Sequence, residues 1–229
     1  MSCSIPEGLY MSDAHLSKVL PPSRTEVVSS IQETIHFEEH VLESGDVVSP
    51  CPVTYSAWGK LNEARDNAIL VCHAFSGSSE VSQWWGSILG EGRALDTSKY
   101  WIICINALGS PYGSASPLTA SASKGGRAYG PDFPLSSIRD DVGVQRRLLD
   151  HLRIPELYAV IGGSMGGMVA LEWAVIYGSG YVRRLLPIST SGRISAWAIG
   201  WNEIQRRTIA SDPLFLDGHY PEDKSCSNE

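Results

Sequence analysis

Val160-Ile161-Gly162-Gly163-Ser164-Met165-Gly166-Gly167-Met168-Val169 constrains the chain more than any other stretch. An apolar run from Tyr158 to Ile161 enters a Gly-x-Ser-x-Gly pattern, and Met168 to Ala174 continues with helical composition. Strand, sharp turn and helix therefore follow in immediate succession. In such a turn the serine occupies the tip, and its neighbours must be small enough for strand and helix to approach without a Cβ between them. Gly162, Gly166 and Gly167 meet that need. Ser164 is thus a candidate nucleophile pointing into a cleft. A glycine-rich loop with an incidental serine gives the same five letters, so the flanking strand and helix carry the reading.

The rest of the chain supplies a sheet for this turn. Asn67 to His73 is a short continuous apolar run suited to a central strand buried on both faces, and Tyr100 to Asn106 is a second. Ser137-x-x-Asp140 is a capping pattern that opens a helix ending before Pro155. Val182 to Ser189 reads as a further strand, weakened by Pro187, and Ser195 to Ala210 as a helix. Upstream, the runs through Ile35 and Phe37 to Val41-Leu42 and through Val53 and Tyr55, with a turn at Glu43 to Asp46, predict two antiparallel strands at the sheet edge. Ser121 to Pro134 reads as an exposed loop. Alternation of strand and helix from residue 67 onward predicts the α/β class, a mostly parallel central sheet with helices on both faces. Residues 1–30 read as a disordered tail, 31–215 as the α/β domain and 216–229 as an irregular tail.

Charge narrows the partners. Eighteen Lys plus Arg against 25 Asp plus Glu give a formal charge of −7, with no basic stripe, so nucleic acid and anionic membrane are excluded as expected partners and a small-molecule substrate is favoured. No run is long and apolar enough for a membrane span, and no secretory signal is visible. The five cysteines, Cys3, Cys51, Cys72, Cys104 and Cys226, have no metal or redox spacing; Cys72 and Cys104 sit in strand-like runs as small hydrophobes, which points to a reducing, cytoplasmic setting. No metal ligand set is expected.

A serine hydroxyl needs a base, an acid to orient that base, and donors for the oxyanion. Two backbone donors can be placed: the N–H of Met165, the residue after the nucleophile, and that of Phe75, in the loop after the Asn67–His73 strand. The base is harder. After Ser164 the only histidine is His219, and it follows Asp212 and Asp217 too closely for a strand and helix to separate an acid loop from a base loop. His219 reads as a surface loop residue, His73 as a polar cap at a strand end, and His15, His36, His40 and His151 as ordinary exposed histidines.

Seven ordered phrases, Leu70-Val-Cys-His-Ala-Phe-Ser-Gly77, Trp84-Trp85, Gly92-Arg-Ala-Leu-Asp-Thr97, Asn106-Ala-Leu-Gly109, Tyr112-Gly-Ser114, Ser137-Ile-Arg-Asp140 and Gly162-Gly-Ser-Met-Gly-Gly-Met168 with Leu171-Glu-Trp-Ala174, resemble the homoserine O-acetyltransferase family, including its fungal relatives that act on deacetylcephalosporin C. The resemblance runs from about Glu43 to Tyr220. It implies the α/β-hydrolase fold, Ser164 as nucleophile, Phe75 and Met165 as oxyanion hole, and acetyl-CoA as co-substrate with no bound cofactor. A homodimer is allowed. Family members run longer, carrying a helical lid and then the catalytic Asp and His, so the chain is expected to represent a domain without its lid and C-terminal strands. Phe75-Ser76-Gly77, Glu80 and Ser114-Ala115-Ser116-Pro117 depart from the family's usual residues on the acceptor side.

Three readings follow. The first is an acyl-CoA-dependent O-acyltransferase acting on the hydroxyl of homoserine or a similar amino acid through an acyl-Ser164 intermediate, within methionine or other amino-acid biosynthesis. The second keeps the fold but changes the acceptor, to a secondary metabolite or to water as in an esterase. The third is a catalytically inactive α/β domain.

Overall fold

The computed structural model describes residues 31–219, so the tails expected over 1–30 and most of 216–229 lie outside the described residues. In chain order the elements are strands β1 (Ile31–Phe37), β2 (His40–Val41), β3 (Val47–Val48), β4 (Cys51–Trp58) and β5 (Ala68–Cys72), helix α1 (Val81–Trp85), β6 (Trp101–Ile105), α2 (Ile138–His151), β7 (Ala159–Gly163), α3 (Met165–Tyr177), β8 (Leu185–Ile188) and α4 (Ala196–Ala210). Six strands form one sheet in the order β1-β4-β6-β5-β7-β8. β1 and β4 run antiparallel to their neighbours, and β6, β5, β7 and β8 are mutually parallel. The expected mostly parallel α/β sheet is therefore present, with β5 beside the elbow strand β7.

Alternation along the central strands divides the core. Ala68, Leu70 and Cys72 of β5 join Ile103 and Ile105 of β6 on one face, where α2 and α3 pack through Val142, Leu148, Leu149, Val169 and Trp173. Ile69, Val71, Ile102 and Cys104 point the other way, against Val81 of α1 and Leu89 and Leu95 beyond it. Every residue of β5 and β6 is buried, which is why both read as unbroken apolar runs rather than alternating ones.

Ser137 caps α2 as its sequence predicts: its hydroxyl accepts the Asp140 N–H at 3.1 Å while Asp140 Oδ2 accepts the Ser137 N–H at 2.8 Å. β8 closes the sheet as an edge strand, where Pro187 removes no interior ladder bond.

Two expectations need correction. The predicted pair of strands before residue 56 is four: β1 and β4 pair along their lengths from Ile31↔Ala57 to Phe37↔Cys51, while the turn after Leu42 closes a separate two-residue hairpin, β2–β3. Asp140 draws that turn off the sheet by accepting the Glu43 N–H at 2.7 Å. Of β1 and β4 only β1 is an edge; β4 is almost wholly buried. Nor is Ser121 to Pro134 simply exposed, since Ser121 and Tyr129 are buried. The Tyr129 hydroxyl accepts the Ser49 N–H and donates to the Ser49 carbonyl, both at 2.9 Å, pinning the loop beside β4.

Candidate active site

Ser164 occupies the turn between β7 and α3 with φ 56° and ψ −120°, a left-handed conformation that strains a residue with a Cβ. Its neighbours hold it there. The Ser164 N–H donates to Ile188 O at 3.0 Å, and Thr190 Oγ1 donates to the Ser164 carbonyl at 2.7 Å, so the end of β8 fixes both sides of the residue. A Cβ added to Gly162 would stand 2.0 Å from Gly166 O, so the strand and helix touch backbone to backbone. A Cβ on Gly167 would collide with Thr190, at 2.5 Å from its Cβ. Small residues here are thus a packing requirement. Ser164 itself is exposed, and among the described residues no side chain is hydrogen-bonded to its hydroxyl.

The elbow leans on the loop after β5. A Cβ on Gly166 would come within 2.0 Å of Cys72 O and 2.7 Å of His73 O, which places the first turn of α3 against the residues that lead to Phe75. Ala74 to Gly77 forms a turn closed by Gly77 N–H to Ala74 O at 2.9 Å. Phe75 and Met165 line one cavity of about 740 Å³ together with His73, Tyr112 and Asp141. Neither the Phe75 N–H nor the Met165 N–H has a hydrogen-bond partner among the described residues. Two unspent backbone donors on one cavity wall, beside a serine at the tip of a strained turn, are the components an oxyanion site requires.

Buried polar groups brace the opposite wall, residues 107–113. Asn106 Oδ1 accepts the Ser79 N–H at 2.6 Å, and its amide donates to Tyr112 O at 2.8 Å and Ser79 Oγ at 3.2 Å. Asp141 Oδ1 accepts the Leu108 N–H at 2.7 Å. Burial pushes the Asp141 carboxyl up to about 7; the Leu108 N–H opposes that shift and nearby Asp140 adds to it. His73, also buried, is held below its ordinary range by desolvation. Burial likewise raises the Cys72 and Cys104 thiols, which leaves them protonated and inert, as the hydrophobic reading of both residues expects.

The structure therefore brings Ser164, Met165 and Phe75 together. It does not bring His219 to them: His219 is exposed, no hydrogen bond among the described residues joins it to Ser164, and the adjoining Gly218 lies against Pro131 in the connection between β6 and α2. His36 and His151 are exposed, as expected, and His15 lies outside the described residues. His40 is a correction, since it is half-buried against α2, where a Cβ on Gly143 would lie 3.7 Å from its ring. Thr190, Asn106 and Asp141 escaped the sequence reading. Their positions at strand ends and a helix start were visible, but nothing in a single sequence says that their side chains bond the backbone of the site.

A family model described as alpha/beta hydrolase fold matches residues 67–225, which contain the elbow, the oxyanion loop and every parallel strand. The chain belongs to the alpha/beta hydrolase fold family. Within this family it is 52% identical over 190 residues to a protein of Saccharomyces cerevisiae named homoserine O-acetyltransferase, a match covering 83% of this chain and 39% of that one. Among solved structures, the homoserine O-acetyltransferase of Bacillus anthracis superposes with a TM-score of 0.77 at 31% identity, over 85% of this chain and 56% of that one. An acetylester hydrolase of Corynebacterium glutamicum superposes with a TM-score of 0.75 at 36% identity, over 83% and 53%. This α/β-hydrolase chain thus spans about two-fifths of the length of the yeast relative. Among its described residues no helix is long and apolar enough to cross a membrane, and none of their His, Cys, Asp and Glu cluster as metal ligands.

Proposed function

We propose that the chain carries the nucleophile and oxyanion half of an O-acyltransferase that takes an acetyl group from acetyl-CoA and passes it to the hydroxyl of homoserine or a similar amino acid. The observation that carries this is the shared cavity wall of Phe75 and Met165, both with free N–H groups, beside the strained Ser164. The names of its half-identical relatives supply the substrate class. Ser164 Oγ attacks the thioester carbonyl carbon, and its proton passes to a base that the described residues do not contain. The carbonyl oxygen becomes an oxyanion held by the two N–H groups. Collapse breaks the carbon–sulfur bond and releases coenzyme A, which takes up a proton. The acceptor hydroxyl then attacks the acetyl-Ser164 ester by the same steps in reverse. A cytoplasmic place in amino-acid biosynthesis goes with this reading.

The experiment is intact-mass analysis after incubation with acetyl-CoA, with and without millimolar imidazole as an external base. An acetyl adduct that imidazole accelerates and Ser164→Ala abolishes is expected. No Ser164-dependent adduct under either condition would reject the transferase reading and leave the inactive-domain one.

A second reading has water as the acceptor. It is favoured by the structural likeness to the acetylester hydrolase, whose identity to this chain exceeds that of the Bacillus transferase. Release of free acetate from the adduct at equal rates with and without homoserine would select it.

A further inference from the structure

His73 ends β5 with its ring buried, and both ring nitrogens are engaged by backbone. Nδ1 lies 2.8 Å from Ala74 O, an atom that can only accept, so Nδ1 carries the hydrogen. Nε2 lies 3.1 Å from Ala107 N, which can only donate, so Nε2 is bare. The neutral Nδ1–H tautomer is therefore fixed by its surroundings, in keeping with the desolvation that disfavours a charge there.

The Ala74 carbonyl matters because it belongs to the same peptide plane as the Phe75 N–H. In a planar trans peptide the C=O and the following N–H point in opposite directions, so whatever fixes one fixes the other. Two donors hold this carbonyl, His73 Nδ1–H at 2.8 Å and Gly77 N–H at 2.9 Å. Gly77 packs closely beneath the ring, where an added Cβ would lie 3.2 Å from both His73 Cβ and Ala74 O. Turning the Phe75 N–H away from the cavity would break both bonds at once. Hydrogen bonds to a carbonyl also polarise its amide and strengthen the N–H at the other end as a donor.

We propose that His73 is a positioning residue for the oxyanion site, acting through the Ala74–Phe75 peptide plane while Ala107 holds the far side of its ring. This rests on the reading of Phe75 as an oxyanion donor. His73 touches no reacting atom; it links the donor loop to the loop after β6, so the two walls of the cavity move as one.

Two measurements on the full chain test it. The first needs no turnover: ¹⁵N NMR of the histidine rings at pH 7 should show His73 as the neutral Nδ1–H tautomer, and an Nε2–H or charged ring overturns the proposal. The second compares acylation of Ser164 by 4-nitrophenyl acetate and by its thionoacetate counterpart, with the Ser164→Ala background subtracted. Sulfur is a poor hydrogen-bond acceptor, so an oxyanion site favours the oxygen ester, by roughly a hundredfold where one strong donor is at work. In His73→Leu that preference should fall at least tenfold. His73→Asn, which keeps a side-chain N–H near Ala74 O, should retain it within about threefold and also serves if the Leu variant fails to fold. An unsubstituted chain that shows no oxygen preference overturns the oxyanion reading itself. A preference that survives His73→Leu overturns only the role of His73.

Discussion

Helices α3 and α4 have similar lengths, 13 and 15 residues, yet they meet the protein in opposite ways. α3 buries Gly166, Gly167, Val169, Ala170 and Trp173, and its first turn touches strand backbone. Trp173 donates to Gln145 Oε1 at 2.9 Å and stacks on Tyr181 with its centroid 5.8 Å away. α4 has a good cap, with Ser195 Oγ accepting the Ala198 N–H, and an apolar stripe through Trp197, Trp201 and Ile204, but it buries nothing. Trp197 is 75% exposed. Pattern and capping can thus make a helix without making it part of the core; what admits α3 is the glycine surface that lets a backbone come close.

The sharpest way to break this contrast is at Gly166. Gly166→Ala would set a methyl group 2.0 Å from Cys72 O, a backbone atom that cannot step aside without moving β5 or the elbow. Unfolding in urea should show a loss of about 3 kcal/mol or more, or a chain that does not fold. A loss under about 1 kcal/mol would mean that the close approach is not a requirement, and that α3 is seated by its side chains alone.

Next in size is the buried brace under the cavity. Asn106→Ala leaves the buried Ser79 N–H and the partly buried Tyr112 carbonyl without their partner, and a cost of about 2 kcal/mol is expected in the same assay. Equal stability would show that the two loops flanking the elbow are held from elsewhere.

Asp141 should act in the other direction. Its carboxyl binds a proton more tightly in the folded chain, about 7, than in the unfolded one, about 4, so its contribution is fully favourable below the lower value and is lost as pH rises through the upper. Asp141→Asn keeps an acceptor for the Leu108 N–H and removes the penalty. A gain of about 1–2 kcal/mol at pH 8 that shrinks toward pH 4.5 is expected. His73 gives the opposite slope: with its folded value depressed, stability falls as pH drops below about 6.5, the ordinary histidine value. The two groups therefore pull stability in opposite directions as pH changes, and a gain from Asp141→Asn that does not vary with pH would show that ionisation is not its cause.

How much of this could be read from residues alone follows the same division. The strand, turn and helix around Ser164 were legible because glycine spacing and apolar runs are local signals. Phe75 could be placed because its loop follows a strand whose burial shows in its composition. The four-stranded start of the domain was not legible, because the Glu43 N–H is drawn to Asp140 across nearly a hundred residues. The bonds of His73 to the Ala107 N–H, of Asn106 to the Ser79 N–H and of Thr190 to the Ser164 carbonyl were hidden for the same reason: each joins a side chain to backbone that is distant in sequence. The missing base stands apart from these, since no described histidine bonds to Ser164.

The smallest expected effect tests the other half of the contrast. If α4 contributes no buried surface, Trp197→Gln removes only a side chain that is three-quarters in water and its edge contact with Trp201, ring centroids 5.8 Å apart. Exposed aromatic pairs of this kind are worth about 0.5 kcal/mol, and little apolar burial is lost beyond it. The variant should therefore unfold within about 0.5 kcal/mol of the parent chain while binding less of a hydrophobic dye such as ANS, since Trp197, Trp201 and Ile204 are all exposed along one side of the helix. A loss of 2 kcal/mol would mean that α4 packs in solution. The boundary of the core would then lie beyond α3.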